Sequence, residues 1–118
     1  MYAKKEFDIN IYKHSDTAVR LGIRNEPTQL EVTNIKLLHE RIIVPLLGVI
    51  DGKLLITSGF RSIELNKTLK GSNTSQHCKG QAVDLVYFDS SGKQKNKTLF
   101  DFIRENLEFD QLIWENGG

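Results

Sequence analysis

His77 and Asp84 stand seven positions apart in the stretch TSQHCKGQAVDL, residues 74–85. An imidazole nitrogen and a carboxylate oxygen brought together are acceptable ligands for zinc, which in catalytic sites takes three protein ligands and leaves the fourth position to water. Along a regular strand, side chains an odd number of residues apart point to opposite faces, so these two converge only if the backbone bends. Gly80, between them, permits a bend, because glycine tolerates positive φ and close backbone approach. The spacing alone is a weak signal, since a loop histidine followed by a strand-end aspartate would read the same way.

The elements that must place this pair are legible from pattern. In PTQLEVTNIKLLHERIIVPLL, Thr28 and Glu31 have capping-box spacing, and Leu30, Ile35, Leu38, Ile42 and Leu46 are predicted to share one face of a helix. Pro45 should kink or restart that helix by removing a backbone donor and crowding the preceding turn. HSDTAVRLG before it reads as a short helix stopped by Gly22. After the turn at Asp51 and Gly52, GKLLITSGF predicts a strand over Lys53 to Ser58. RSIELNKTLKG predicts a short helix with Ser62 as N-cap, Glu64 in its first turn and Gly71 past its end. QAVDLVYF predicts a second strand over Gln81 to Phe88, with SNTSQHCK as the loop leading into it. NKTLFDFIRENL places Leu99, Phe100, Ile103 and Leu107 at helical spacing, and FDQLIWE predicts a third strand ending at Glu115. Strands and helices do not alternate regularly, so the expected class is α+β, with a small antiparallel sheet flanked by helices.

Composition narrows the function. With 118 residues the chain makes one domain large enough for a single core. Its 16 basic and 15 acidic residues nearly cancel and are interleaved, so neither a nucleic-acid stripe nor a polybasic membrane patch is present. Cys78 is the single cysteine, which rules out an intramolecular disulfide framework. MYAKKEFDIN lacks the apolar run of a signal peptide, and no segment reaches the ~20 apolar residues of a membrane span. A globular domain made in the cytoplasm, a monomer by default and without nucleic-acid or membrane partners, is expected.

The fuller pattern SQHCKGQAVD fits Ser-x-His-x-x-Gly-x-Ala-x-Asp. It resembles the zinc-site motif of the D-alanyl-D-alanine carboxypeptidases and dipeptidases, with Ser75, His77, Gly80, Ala82 and Asp84 all matching. Upstream, ITSGFRSIELNKTLKGSNTSQH resembles the same family's strand, Gly-aromatic-Arg-Ser turn and helix. SDTAVRLGIRNEPT and FDQLIWE resemble its compact phage and prophage branch, so the likeness spans roughly Phe7 to Glu115. The resemblance implies a Hedgehog/DD-peptidase-like fold with zinc as cofactor and His77 and Asp84 as two of three metal ligands. Arg61 then resembles the arginine that contacts substrate and stabilises the developing oxyanion, chemistry that suits a guanidinium beside a polarised carbonyl. Ser75 would support the site, touch substrate, or only cap the loop; Gly80 and Ala82 would be small so that the metal loop packs tightly. The implied activity is metal-assisted hydrolysis, in which zinc lowers the pKa of a water and polarises the scissile carbonyl while a carboxylate takes and returns the proton. The implied partner is a peptidoglycan stem peptide, cut at or near a D-alanyl bond by carboxypeptidase, dipeptidase or endopeptidase action. In the phage branch this amounts to endolysin or wall-remodelling activity, released from the bacterial cytoplasm with phage assistance.

The pattern departs from the family at its C-terminal end. The third ligand is expected as a histidine in a Trp-x-His-like strand downstream of LIWE, with the catalytic carboxylate a few residues before it, whereas this sequence ends LIWENGG. The expectation is a single domain over residues 1–118, truncated at its C-terminus, with the third ligand and general base beyond Gly118. His39 is expected at an exposed or boundary position on the long helix, and His14 in a loop before a helix start. Glu115 is expected to be a solvated strand-end residue, not a substitute carboxylate, and Cys78 a small packed thiol turned away from the metal. The competing expectation is a non-catalytic module that keeps the fold and uses its groove to hold cell-wall peptide or a phage structural partner.

Overall fold

Local capping signals shape the first half of the chain in the computed structural model, which describes residues 1–106. The Asp8 carboxylate accepts the Asn10 N–H to open a short helix that the sequence pattern did not predict, α1 (Ile9–Lys13). Ser15 caps α2 (Asp16–Leu21), and Gly22 stops it in the left-handed conformation at φ 68°. Thr28 and Glu31 form the predicted reciprocal capping box at the start of α3 (Gln29–Leu38). The predicted irregularity before Pro45 takes the form of a wide π-turn over His39–Ile43, in which the Val44 N–H reaches the His39 carbonyl, followed by α4 (Val44–Leu47).

This geometry corrects two assignments on the helical face. Leu30 is 71% exposed, because five residues of α-helix rotate it by about 140° away from Ile35. The extra residue in the π-turn also turns the stripe, so that Ile43 is fully buried while Ile42 is only partly so.

The sheet is antiparallel and built from β1 (Lys53–Ser58) and β2 (Asp84–Phe88), paired from Lys53↔Phe88 to Ser58↔Asp84 with an irregularity between Ile56 and Ser58. The α+β class is as expected. On the other side of β1 the N-terminal segment adds a further rung: Tyr2 bridges Leu55, the Ala3 N–H donates to Leu54 O at 2.8 Å, and the Ile56 N–H donates to Met1 O at 3.0 Å. Gly52 makes the turn into β1 possible, since a Cβ there would lie 1.9 Å from the Phe88 carbonyl oxygen. The second strand is shorter than predicted and begins at Asp84. Residues 81–83 are used to return from the preceding loop.

Ser62 caps α5 (Ile63–Thr68) as predicted, and a single 3-10 turn, Gln76–Lys79, follows it. Both α3 and α5 pack on this turn. The last helix, α6 (Asn96–Asn106), lies on β2 and buries Leu99 and Ile103. Tyr12 of α1, Ile35 of α3, Ile43, Leu46 of α4, and Leu54 and Ile56 of β1 meet these residues in one apolar core. Leu107, the predicted strand FDQLIWE and Glu115 lie outside the described residues.

Candidate metal and catalytic site

His77 belongs to the 3-10 turn. Ser75 opens the turn by accepting the His77 N–H at 3.3 Å, and Gly80 closes it at φ 71°. The Gly80 N–H bonds back to His77 O and the Gln81 N–H to Gln76 O, so the chain doubles on itself before β2 begins. That return brings Asp84, the first residue of β2, against His77: Nε2 and Oδ1 are 3.5 Å apart. The two residues therefore do not lie along one strand. Only glycine fits at the bend, because a Cβ on Gly80 would meet Glu31 O at 2.6 Å and Ile35 Cγ1 at 2.9 Å in addition to the strained φ. Asn34 fastens the loop to α3 by donating to Lys79 O at 2.9 Å. Ala82 lies partly buried in the return segment.

Arg61 reaches the same carboxylate from the turn between β1 and α5. Its Nη2 is 3.4 Å from Asp84 Oδ2, its Nε donates to Ser58 Oγ at 3.1 Å, and its Nη1 is 3.5 Å from Asn66 Oδ1. Hydrogen bonds hold the backbone of this turn at Phe60, Arg61 and Ser62. Phe60 N–H donates to Tyr12 O at 2.7 Å, and Arg61 N–H to His77 O at 3.1 Å. The buried amide of Asn25 then brackets the arginine, donating from Nδ2 to Phe60 O and Lys13 O and accepting the Ser62 N–H at 2.6 Å. Asn25 and Asn66 are site residues that motif reading did not single out. Asn25 gives no local signal because its partners are 12 to 37 positions away. Asn66 gives one: a short polar residue inside a helix competes with the backbone for hydrogen bonds, and its presence there points to a tertiary use.

The Gly59 carbonyl fixes the orientation of the His77 ring. Nδ1 lies 2.7 Å from the carbonyl oxygen of Gly59. A carbonyl can only accept, so Nδ1 carries a hydrogen and Nε2 is the nitrogen turned to Asp84. An unprotonated Nε2 would face Asp84 Oδ1 as acceptor against acceptor, so the pair calls for a cation, either a proton on Nε2 or a metal ion in its place. Histidine nitrogen and carboxylate oxygen suit zinc, and a 3.5 Å separation is close to the edge of a tetrahedron with bonds of about 2.1 Å. The carbonyl behind Nδ1 is the kind of support that orients ligating histidines. The donor pair fits the metal. Among the described residues, no group of three His, Cys, Asp or Glu side chains is arranged to hold one.

Burial works against ionisation of Asp84, but the hydrogen bond and charge of His77 and the charge of Arg61 outweigh it, and the carboxyl is held below the usual range. The remaining candidates stand apart from this pair. Burial pushes the Cys78 thiol above its ordinary value, with Arg61 opposing and Glu31 adding to the effect, so Cys78 remains a neutral thiol and a poor ligand. His14 follows α1 and pairs with Asp16 at 3.0 Å on the surface. His39 is not at a boundary: it is 3% exposed, donating from Nε2 to Lys5 O at 2.7 Å and accepting from the Tyr12 hydroxyl at Nδ1. The π-turn and the α1 segment packed over it bury this ring, which sequence periodicity could not show.

A groove of about 450 Å³ runs from Arg61 and Ser58 past Leu65 and Leu69 to the turn at Ser15 and Asp16.

The family model described as Peptidase M15 matches residues 5–115, and the chain belongs to that family. Comparison with curated proteins and with solved structures gave no match.

Proposed function

We propose that this member of the Peptidase M15 family is a zinc-dependent hydrolase of D-alanyl-containing peptide bonds in peptidoglycan stem peptides. The observation that supports this most directly is the shared carboxylate: Asp84 turns Oδ1 to His77 Nε2 and Oδ2 to Arg61 Nη2, so one side chain links the metal-binding pair to a cation. His77 and Asp84 would hold the metal. A zinc ion there supplies Lewis acidity toward the scissile carbonyl and makes water a competent nucleophile at neutral pH. Gly59 keeps the His77 hydrogen on Nδ1 and its lone pair on Nε2. Arg61, 17% exposed in its side chain, offers fixed positive charge where the carbonyl oxygen becomes negative, and its low solvation strengthens that interaction. Ser75 acts as the cap that places His77. Among the described residues no third His, Cys, Asp or Glu side chain joins the pair.

A second reading, a non-catalytic module holding cell-wall peptide or a phage structural partner, draws on the absence of a third donor among the described residues. Calorimetric zinc titration of the chain beside His77→Ala and Asp84→Asn, with hydrolysis of a D-alanyl-D-alanine-terminated peptide, separates the two. Equimolar binding abolished by either substitution, with zinc-dependent cleavage that Arg61→Ala impairs, is the expected result. Peptide affinity without zinc binding or turnover overturns the hydrolase reading in favour of the module.

A further inference from the structure

We infer that Asn66 is a positioning residue that sets the orientation of the Arg61 guanidinium, an inference that rests on the reading of Arg61 as the oxyanion-stabilising group. A largely buried guanidinium must find acceptors for its five N–H groups. Three are engaged, by Ser58 Oγ at Nε, by Asn66 Oδ1 at Nη1 and by Asp84 Oδ2 at Nη2. Among the described residues this leaves one N–H on each Nη for a substrate oxygen. Asp84 is the one charged acceptor of the three, and its other oxygen faces His77. When its charge is drawn toward a cation at His77, its hold on Arg61 weakens. The neutral acceptors then keep the guanidinium in register without quenching the positive charge that the reaction needs.

Of those two, Asn66 is the fixed one. It is 3% exposed and sits on α5. Its Nδ2 donates to Ser72 O at 2.8 Å, which settles which amide atom faces Arg61. Gly71 closes beneath it, so near that a Cβ would lie 2.0 Å from Asn66 Oδ1. Asn66, Gly71 and Ser72 together hold a single carbonyl oxygen against Arg61. The 3.5 Å spacing is at the long end for a hydrogen bond, as catalytic contacts commonly are before substrate binds.

Two variants of the zinc-loaded chain test this, Asn66→Ala and Gly71→Ala, the second displacing the amide without deleting it. The expected result with a D-alanyl peptide is a fall in kcat of about 10- to 100-fold with little change in KM, and no further fall when Asn66→Ala is added to Arg61→Ala. In nitrogen-15 spectra of arginine-labelled protein, the Arg61 Nε–H signal should shift and broaden in both variants. Equal losses of kcat from Asn66→Ala in the wild-type and Arg61→Ala backgrounds, or an unchanged Arg61 signal in both single variants, would overturn the inference. If Arg61→Ala itself leaves kcat unchanged, the oxyanion reading fails, and the Arg61 signal still decides whether Asn66 positions the guanidinium.

Discussion

The Nδ1 of His77 lies 2.7 Å from the Gly59 carbonyl oxygen, and this contact turns Nε2 toward Asp84. Gly59 is itself pressed against α1, since a Cβ there would lie 2.3 Å from Tyr12 O. Gly59→Ala should therefore displace the carbonyl and release His77. Zinc affinity is expected to fall about 10- to 100-fold, read by competition with a chromophoric chelator, while His77→Ala should remove binding altogether. Unchanged affinity in Gly59→Ala would show that the carbonyl does not orient the ligand.

Gly80 meets two penalties at once, a left-handed φ of 71° and a Cβ position 2.6 Å from Glu31 O. Gly80→Ala is expected to cost about 2–4 kcal/mol of stability in urea unfolding and to weaken zinc binding as well. Gly22, also left-handed but with open space around its Cβ position, provides the control. Gly22→Ala should cost about 1–2 kcal/mol and leave zinc binding intact.

Tyr12 and His39 form a buried pair apart from His77 and Asp84 but joined to the arginine turn through α1, where Tyr12 O accepts the Phe60 N–H. His39 Nε2 must donate to Lys5 O, so Nδ1 is the acceptor for the Tyr12 hydroxyl. Burial raises the Tyr12 pKa above its ordinary value, so the hydroxyl remains a donor at any working pH. Tyr12→Phe strands a buried acceptor and is expected to cost about 1–3 kcal/mol, with zinc affinity within twofold of wild type.

Asp51 accepts from the Tyr87 hydroxyl at 2.5 Å and from Ser90 Oγ at 3.1 Å. The Tyr87 hydrogen bond, opposed by desolvation and helped by Ser90, lowers its pKa. A carboxyl whose pKa is lower folded than unfolded contributes stability that is fully present above the unfolded value, near 4, and is lost as pH falls through the folded value. Asp51→Asn should flatten that part of the acid unfolding curve and leave the slope near pH 7 unchanged. An identical acid limb in the variant would remove Asp51 from the account.

Legibility in the sequence followed range. The capping box of Thr28 and Glu31, the Ser62 cap, the Gly22 stop and the bounds of β1 are set by interactions over a few residues, and the sequence pattern predicts them correctly. Gly80 announced a bend, and the left-handed bend is present, though a 3-10 turn and a late start to β2 produce the meeting of His77 and Asp84. What could not be read depends on distant partners. His39 is buried by a segment 34 positions away in the chain, Asn25 brackets a turn 35 positions on, and the π-turn rotates the face of the long helix by one residue. Leu30 was misplaced for a simpler reason, a helical angle that the pattern allowed too loosely.

The pairing of Met1 and Ala3 with Ile56 and Leu54 matters beyond the fold. With β2 on one flank and this short segment on the other, β1 presents no long open edge to a second molecule. Bare strand edges invite intermolecular sheet growth, and the run Leu54, Leu55, Ile56 at the centre of β1 is apolar enough to propagate it. The first three residues thus act as a guard on solubility, and a chain trimmed of them would gain an adhesive seam beside the arginine turn.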